Sequence, residues 1–480
     1  MGAVFFENAL LFLLLDAFFL KGVFLAALFP LFTGQDEARH YNTIQYIAEP
    51  FEKTWPMEPR AHKENKNELL DYNFSQEIIG VGQAAEVDAI RGGIFRTADF
   101  SSGKGYDGKN ENTIREKSWQ PRNTYSPPDI ATPGLYHRLG AFFEWALSGH
   151  DLLVRFYAIR IMSVALGTVA IFLAFMIARA LRFDRHISLL FAALVAFQPK
   201  FSMYTTNINY DALLIPTFFL FTLGGILSLR DGLTLRNGAI LLVSTILGVL
   251  TKQTAFILLP VLFILLSFHL LRHLSQKRSR FLSFTLFFLV LIGGLSFLAS
   301  HPTVKNIFPT HLSRTEILTS FEKYRSESLT PGRLALSSRT YWGALGWNED
   351  IISRRLTDVL WPIEGLAAIG LLIFFIFKKP EFLPEKRLVA FLVLMILALQ
   401  LGIRAADWSI FRLTGALDLG APGRYFLPNL ATHFLLVFIG FGALVRSREF
   451  LRHLLVASVI LFFAFSFYLT VSVVAPRFYL

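Results

Sequence analysis

The chain has no cysteine among its 480 residues, which excludes disulfides, zinc–thiolate centres and cysteine nucleophiles. Charge is scarce at 17% of residues, against about a quarter in an average soluble domain. No glycine-rich loop precedes a basic helix, so a P-loop nucleotide site is not expected. There is no Gly-x-Ser-x-Gly elbow for a serine nucleophile. His137 and His301 lack metal-ligand spacing, and no internal repeat is visible. What is abundant is apolar surface. Hydrophobic residues make up 54% of the chain and include 50 phenylalanines, a balance suited to a protein whose solvent is mostly lipid. The net charge of +11 does not point to nucleic acid, because most basic residues lie in short clusters between apolar runs, where topology explains them.

A membrane-crossing helix takes about 20 mostly apolar residues. Eleven such runs are expected, at about 9–32, 155–180, 186–204, 211–229, 236–251, 254–271, 281–300, 357–377, 386–404, 425–445 and 451–474. The first is too long for a signal-peptide core and no small-residue cleavage site follows it, so it reads as a retained helix. The fifth and sixth are separated at Thr251-Lys252-Gln253-Thr254. As one helix they would measure about 50 Å at 1.5 Å per residue, too long for one crossing of a ~30 Å core.

Basic residues then set the orientation. Arg179, Arg182 and Arg185 follow the second run, Arg230 and Arg236 the fourth, and Arg272, Lys277, Arg278 and Arg280 the sixth. Lys378, Lys379, Lys386 and Arg387 follow the eighth, and Arg446, Arg448 and Arg452 the tenth. With eleven helices all these loops share one side, which the positive-inside tendency makes cytoplasmic. The expectation is an all-α integral membrane protein, one polytopic domain over 1–480, with the N-terminus inside and the C-terminus outside. Three polar stretches face outward: a large first loop at 33–154, then 301–356 and 405–424. The first loop has helical periodicity at both ends, with Tyr41, Ile44, Ile47, Ala48 and Phe51 on one face and Leu135, Leu139, Phe142 and Ala146 on another. These read as amphipathic helices at the membrane surface.

Four outer-side constellations carry candidate chemistry, each with a plainer alternative. Asp36, Glu37, Arg39 and His40 stand just beyond the first helix. A carboxylate there suits a general base, and an acidic pair also suits a helix start. Asn209 and Asp211 lie in the turn before the fourth helix, where Asp211 either meets substrate or caps the helix. Lys252 either meets an anionic head group or snorkels to water. Arg424 and Tyr425, flanked by Pro422 and Pro428, either hold a phosphate through two parallel hydrogen bonds or form an interfacial anchor. Asp16 and Lys21 lie inside the first helix, about 140° apart at 3.6 residues per turn. Arg160 is a candidate partner for one of them, and intramembrane charges are functional candidates by default.

In their order and common sidedness these motifs resemble the GT-C superfamily of polyprenyl-phosphate-sugar-dependent glycosyltransferases. The layout is similar to the protein mannosyltransferase and aminoarabinose transferase families, and closest to a bacterial branch known mainly as predicted membrane proteins. The resemblance rests on Asp36-Glu37 with His40 behind, Ser126-Pro127-Pro128 through Leu135-Tyr136, and Pro199 followed by Asn209 to Asp211. It rests further on Thr251-Lys252-Gln253-Thr254, Trp342-Gly343 with Gly346-Trp347, and Gly423-Arg424-Tyr425 with Pro428. Two departures stand out. The family's compact His-Pro-Pro-Leu-Tyr element is split here by Asp129 to Gly134, and its Gln before Gly-Arg-Tyr is Pro422.

The resemblance implies transfer of a hexose or pentose from a polyprenyl-phosphate-linked donor to a glycan, lipid or protein acceptor, with inversion, on the outer face of a plasma membrane (the bacterial inner membrane). It implies Asp36, Glu37 and His40 as the catalytic group, with Asp36 the general base. It implies Arg424, Lys252 and Tyr425 at the donor phosphate and Asn209 and Asp211 at the sugar. No redox cofactor or nucleotide is needed; a divalent cation helps some relatives, and nothing in this sequence specifies one. The other readings are a transporter or lipid flippase, which favours ionisable groups near the bilayer midplane and repeat symmetry, and a non-catalytic envelope assembly protein.

Overall fold

Backbone amides inside a bilayer must find partners within their own segment, so an apolar chain resolves into helices. The structure, a computed structural model, describes residues 2–48, 75–84, 112, 133–276, 313–343, 358–415, 417 and 422–479, and among these it holds helices and no strand. In chain order they are α1 (Gly2–Leu28), α2 (Glu37–Ala48), α3 (Gln76–Ala84), α4 (Leu135–Ala146), α5 (Leu152–Ala180), α6 (Arg185–Ala196), α7 (Pro199–Tyr204), α8 (Asp211–Asp231) and α9 (Leu235–Thr251). A short 3₁₀ turn, Gln253–Ile257, leads into α10 (Leu258–Gln276), followed by α11 (Arg314–Ser328), α12 (Pro331–Trp342), α13 (Leu360–Ile376) and α14 (Lys386–Thr414). A second 3₁₀ turn, Gly423–Asn429, opens α15 (Leu430–Val445), and α16 (Arg448–Tyr468) runs through a π-helical turn, Leu469–Val474, into α17 (Ala475–Tyr479).

Seven of these segments are long and apolar enough to cross a membrane, and three shorter apolar helices, α6, α9 and α13, accompany them. They fall on ten of the eleven expected runs. The eleventh, 281–300, lies outside the described residues, as do most of the loop middle at 52–130, Ser126-Pro127-Pro128, His301 and Gly346-Trp347. The break expected at Thr251-Lys252-Gln253-Thr254 is present. α9 stops at Thr251, and Lys252 is extended at φ −156 and ψ 140. One expectation is corrected: 186–204 is two helices. Pro199 disfavours helical geometry at Gln198, which sits at ψ 119 and uses its side chain to cap Phe201 N.

Lipid tails are as apolar as leucine, so these helices associate by close packing. α8 is the centre, buried on nearly every face and packed against α5, α9, α14 and the Gly423–Asn429 turn. α13 and α15 approach through small residues, where a Cβ on Gly370 would collide with the Gly440 carbonyl, and one on Gly440 with that of Ala367. At one end of the bundle the basic loops meet each other. Arg230 donates to Ala180 O at 2.9 Å, Arg448 pairs with Asp184 at 2.6 Å, Arg446 donates to Lys378 O at 2.7 Å, and Arg185 reaches Asn8 near the start of α1. The loops after α5, α8, α13 and α15 therefore share an end with the N-terminus.

At the other end, α2 and α4 pack on each other and on α5. Their burial only partly follows the expected amphipathic stripes. In α2, Tyr41 and Ile44 are fully buried. In α4 the buried side is the mixed one, with Tyr136, His137, Gly140, Ala141 and Glu144, while Leu139, Phe142 and Trp145 are exposed. The apolar stripe of α4 thus faces away from the protein, as it would in a helix resting on a bilayer surface, because α2 offers polar partners for the other side. Glu144 accepts from Tyr41 Oη at 3.0 Å and pairs with Arg155 of α5, which also pairs with Glu77 of α3.

Candidate functional site

The site begins where the chain leaves α1. Asp36 takes the left-handed conformation at φ 57, which aspartate tolerates better than most residues, and its carbonyl accepts from His40 N at 3.0 Å to open α2. The neighbouring Glu37 is fully buried. Its carboxylate accepts from Arg160 Nε at 2.8 Å and Nη2 at 2.7 Å, from Gly34 N at 3.1 Å and from Ile208 N at 2.9 Å. Arg160 donates further to the carbonyls of Ala26, Phe29 and Pro30. The partner considered for Arg160 within α1 is therefore corrected. Arg160 holds Glu37, while Lys21 donates to Ser202 Oγ at 2.9 Å and Ala196 O at 3.3 Å, and Asp16 is exposed. Glu37 joins the end of α1, the start of α2, α5 and the turn before α8 at one point.

Asp36 lies outside that knot, with its side chain 27% exposed, 3.5 Å from Arg424 Nη2 and 3.8 Å from Arg39 Nη1. Arg424 comes from the 3₁₀ turn that Pro422 begins, and its Nη2 donates to Tyr425 Oη at 3.1 Å. That turn is fixed from below, where Gly423 N donates to Thr340 Oγ1 of α12 at 2.6 Å. The Tyr425 ring carries two cations: the Arg424 guanidinium at 4.9 Å and Lys252 Nζ at 4.9 Å. Lys252 also lies 4.1 Å from the Tyr210 ring and donates to Asp211 Oδ1 at 2.9 Å. Burial opposes the lysine's charge, but the Asp211 carboxylate together with the Tyr210 and Tyr425 side chains outweighs it and raises the pKa above the ordinary lysine value. The sequence left open whether Asp211 caps α8. Its carboxylate goes to Lys252, and Asn209 makes the capping contact instead, accepting from Ala212 N at 3.2 Å. The Asn209 amide donates to Tyr204 O at 2.7 Å, so Asn209 braces the turn that aims Asp211 and Tyr210.

His40 points into the same cluster, its ring edge-on to Tyr210 at 4.6 Å. Its Nδ1 lies 2.9 Å from His137 Nε2, and His137 Nδ1 accepts from Gly134 N at 3.0 Å. That chain assigns the tautomers: His137 donates through Nε2, His40 accepts at Nδ1, and His40 is left with an N–H on Nε2. Burial lowers the pKa of both, His137 to about 4 and His40 well below the usual histidine value, with His137 and the cations of Lys252, Arg424 and Arg39 adding to the effect on His40. Both rings are neutral near pH 7. His137, set aside in the sequence for lack of metal spacing, is thus brought against His40 from nearly a hundred residues away. Among the described residues no group of three His, Asp or Glu gathers as metal ligands.

The eight candidate residues gather at this end of the bundle, Glu37 and Asn209 as braces behind the other six. Besides His137, the sequence reading missed Tyr210 and Tyr204. Tyr204 donates to Gln35 Oε1 at 2.6 Å and lies 3.5 Å from Arg424 Nη1. Aromatic residues are so frequent in this chain that a single tyrosine carried no signal, although Tyr210 stands between Asn209 and Asp211.

What the cluster offers is a partly exposed carboxylate beside Arg424, a second cation, Lys252, on the same aromatic ring, and a neutral imidazole donor in the same cluster. That is equipment for an anionic leaving group and a proton to be removed. The chain is an all-α integral membrane protein, and its residues 142–297, about a third of its length, match the family model described as dolichyl-phosphate-mannose-protein mannosyltransferase. The match takes in Arg160, Asn209, Asp211 and Lys252. It supports membership of the GT-C superfamily and points to a membrane glycosyltransferase. None of the curated proteins matches the chain.

Proposed function

We propose that this protein moves a sugar from a polyprenyl-phosphate donor to an acceptor hydroxyl, with inversion, at the end of the bundle that carries Asp36 and faces away from the cytoplasm. The observation that carries the reading is the pair of cations, Arg424 and Lys252, on the Tyr425 ring with Asp36 3.5 Å from Arg424. In the reaction the acceptor oxygen bonds to the anomeric carbon and its proton passes to Asp36. The bond from the anomeric carbon to the phosphate oxygen breaks, and its electron pair leaves with the polyprenyl phosphate. Charge therefore grows on the phosphate in the transition state, where fixed cations act most strongly. Arg424 and Lys252 stabilise it, Tyr425 holds the two together, and His40 adds a hydrogen bond through its Nε2 without adding charge. Asp211 keeps Lys252 in place and, with Asn209 behind it, orients the sugar. Glu37 fixes the loop that presents Asp36. A phosphate entering at Arg424 competes with Asp36 for the guanidinium, which frees the carboxylate for the acceptor.

The test is mass spectrometry of lipid-linked sugars and surface glycans from cells with the wild-type protein, cells without it, and cells carrying Asp36→Asn at equal membrane abundance. Both altered strains should lose the same sugar from a glycan, since removing a general base lowers the rate by about 10²–10⁴-fold. If Asp36→Asn cells match wild type while the deletion differs, Asp36 is not the base, and a transport or assembly role takes precedence.

A further inference from the structure

A second candidate site lies beside the Gly423–Asn429 turn, lined by Phe426 and Asn429 of that turn. It is a cavity of about 290 Å³ between α12, α13, α14 and the start of α15. Three of its lining groups have unused hydrogen-bonding capacity. Asn429 is 2% exposed, and its Oδ1 is buried without a partner, while its amide donates to Met395 O at 2.7 Å. Arg404 and Gln400, one turn apart on α14, make no hydrogen bond or ion pair among the described residues. Arg404 is partly exposed at the outer end of the 386–404 run, where a guanidinium is placed to meet a phosphate head group.

Across the cavity stands Glu364 of α13. It accepts from Trp342 Nε1 at 3.2 Å and lies 3.7 Å from His433 Nε2, and the other nitrogen of that ring is 3.0 Å from Tyr341 Oη. Trp361, at the start of α13 and 44% exposed, forms the rim, where tryptophan marks the membrane boundary. One carboxylate and one guanidinium without an ion pair among the described residues, with an aromatic rim able to face a cation, complement a ligand that carries both charges.

We propose that this cavity binds a phosphate ester bearing an ammonium group, such as the head group of an ethanolamine phospholipid, with the phosphate at Arg404 and Gln400 and the ammonium at Glu364. The apolar wall from Leu399, Ile396 and Phe426 favours the lipid source over the free ester. The proposal is separate from the sugar-transfer reading, because none of these side chains belongs to the Asp36 cluster, and it stands or falls without any activity assay.

The test is native mass spectrometry of the delipidated full-length protein in detergent. It is titrated with phosphatidylethanolamine, phosphatidylglycerol, glycerophosphoethanolamine and a long-chain polyprenyl phosphate. Phosphatidylethanolamine should bind wild type at least tenfold more tightly than phosphatidylglycerol. Glu364→Gln should erase that preference, and Arg404→Gln should weaken both lipids at least tenfold. Gln400→Leu, which alters no charge and guards against misfolding of the other variants, should weaken both by about fivefold, the value of one hydrogen bond. Equal binding of glycerophosphoethanolamine and the phospholipid assigns the free ester; tighter phospholipid binding assigns the lipid. Equal affinity for the two phospholipids with no effect of any substitution overturns the proposal. So does displacement of phosphatidylethanolamine by the polyprenyl phosphate, which would make the cavity part of the donor's path.

Discussion

Replacing Arg160 by leucine should damage both the fold and the reaction, by amounts that can be worked out separately. Arg160 and Glu37 are each fully buried, and Arg160 donates to both Glu37 oxygens and to three carbonyls at the end of α1. Removing one member of a buried pair leaves the other charge uncompensated, which costs about 3–5 kcal/mol. The expected loss for Arg160→Leu is of that order, measured as unfolding free energy in mixed detergent–dodecyl sulfate micelles by loss of helical signal. Glu37→Leu should lose a similar amount, with its freed Gly34 and Ile208 amides adding to the cost. The double variant should lose less than the sum, with a coupling of about 1–3 kcal/mol, since neither charge is then stranded. Catalysis should fall further than stability accounts for. Glu37 fixes the backbone on either side of Asp36, and a displacement of about 1 Å at a reacting group lowers a rate by about 10²-fold. Additive losses in the double variant, or a single loss below about 1 kcal/mol, would refute the claim that this pair is the knot presenting Asp36.

Lys252→Met should abolish sugar transfer and also destabilise the protein by a few kcal/mol, on the order of a broken buried pair. Adding Asp211→Asn should restore much of the stability and none of the transfer, as read by the glycan assay and micelle unfolding together. Gly134→Ala should destabilise by about 1–3 kcal/mol through overpacking, because a Cβ at Gly134 runs into the Thr251 carbonyl oxygen; wild-type stability would show that α4 does not press on the end of α9 as described. His137 is held neutral with its pKa at about 4, below the unfolded value of about 6.5, so the stability from its neutral form is complete above pH 6.5 and is lost as pH falls toward 4. Between pH 7.5 and 5 wild type should lose about 2 kcal/mol on this account. His137→Gln should remove that part of the loss, and an unchanged pH dependence would count against the buried neutral pair.

The helices and the candidate site were legible in the sequence to different depths. The run at 254–271 and the break at Lys252 are local matters of apolar length and of charge between two apolar runs. The division of 186–204 does not show in hydropathy, because apolar residues stand on both sides of Gln198, and the geometry imposed by Pro199 makes it. The apolar stripe of α4 was readable, but its direction depended on a polar network with Glu77, Glu144 and Arg155 that joins three helices.

Asp36, Lys252, Asp211 and Arg424 stood out because a charge beside a membrane helix is costly wherever the chain goes. Amino-acid order alone determined that this is a helical membrane protein, where its chain turns, and which few charges stand at those turns, since transfer free energy and backbone hydrogen bonding act within a segment. Tertiary structure decided which of the polar groups meet. Lys252 finds Asp211, Glu37 finds Arg160, and His40 finds His137 only once α2, α4, α5, α8 and the Gly423–Asn429 turn are packed together. Pairing energy depends on a few ångströms of separation in space, and separation along the chain does not contain that distance.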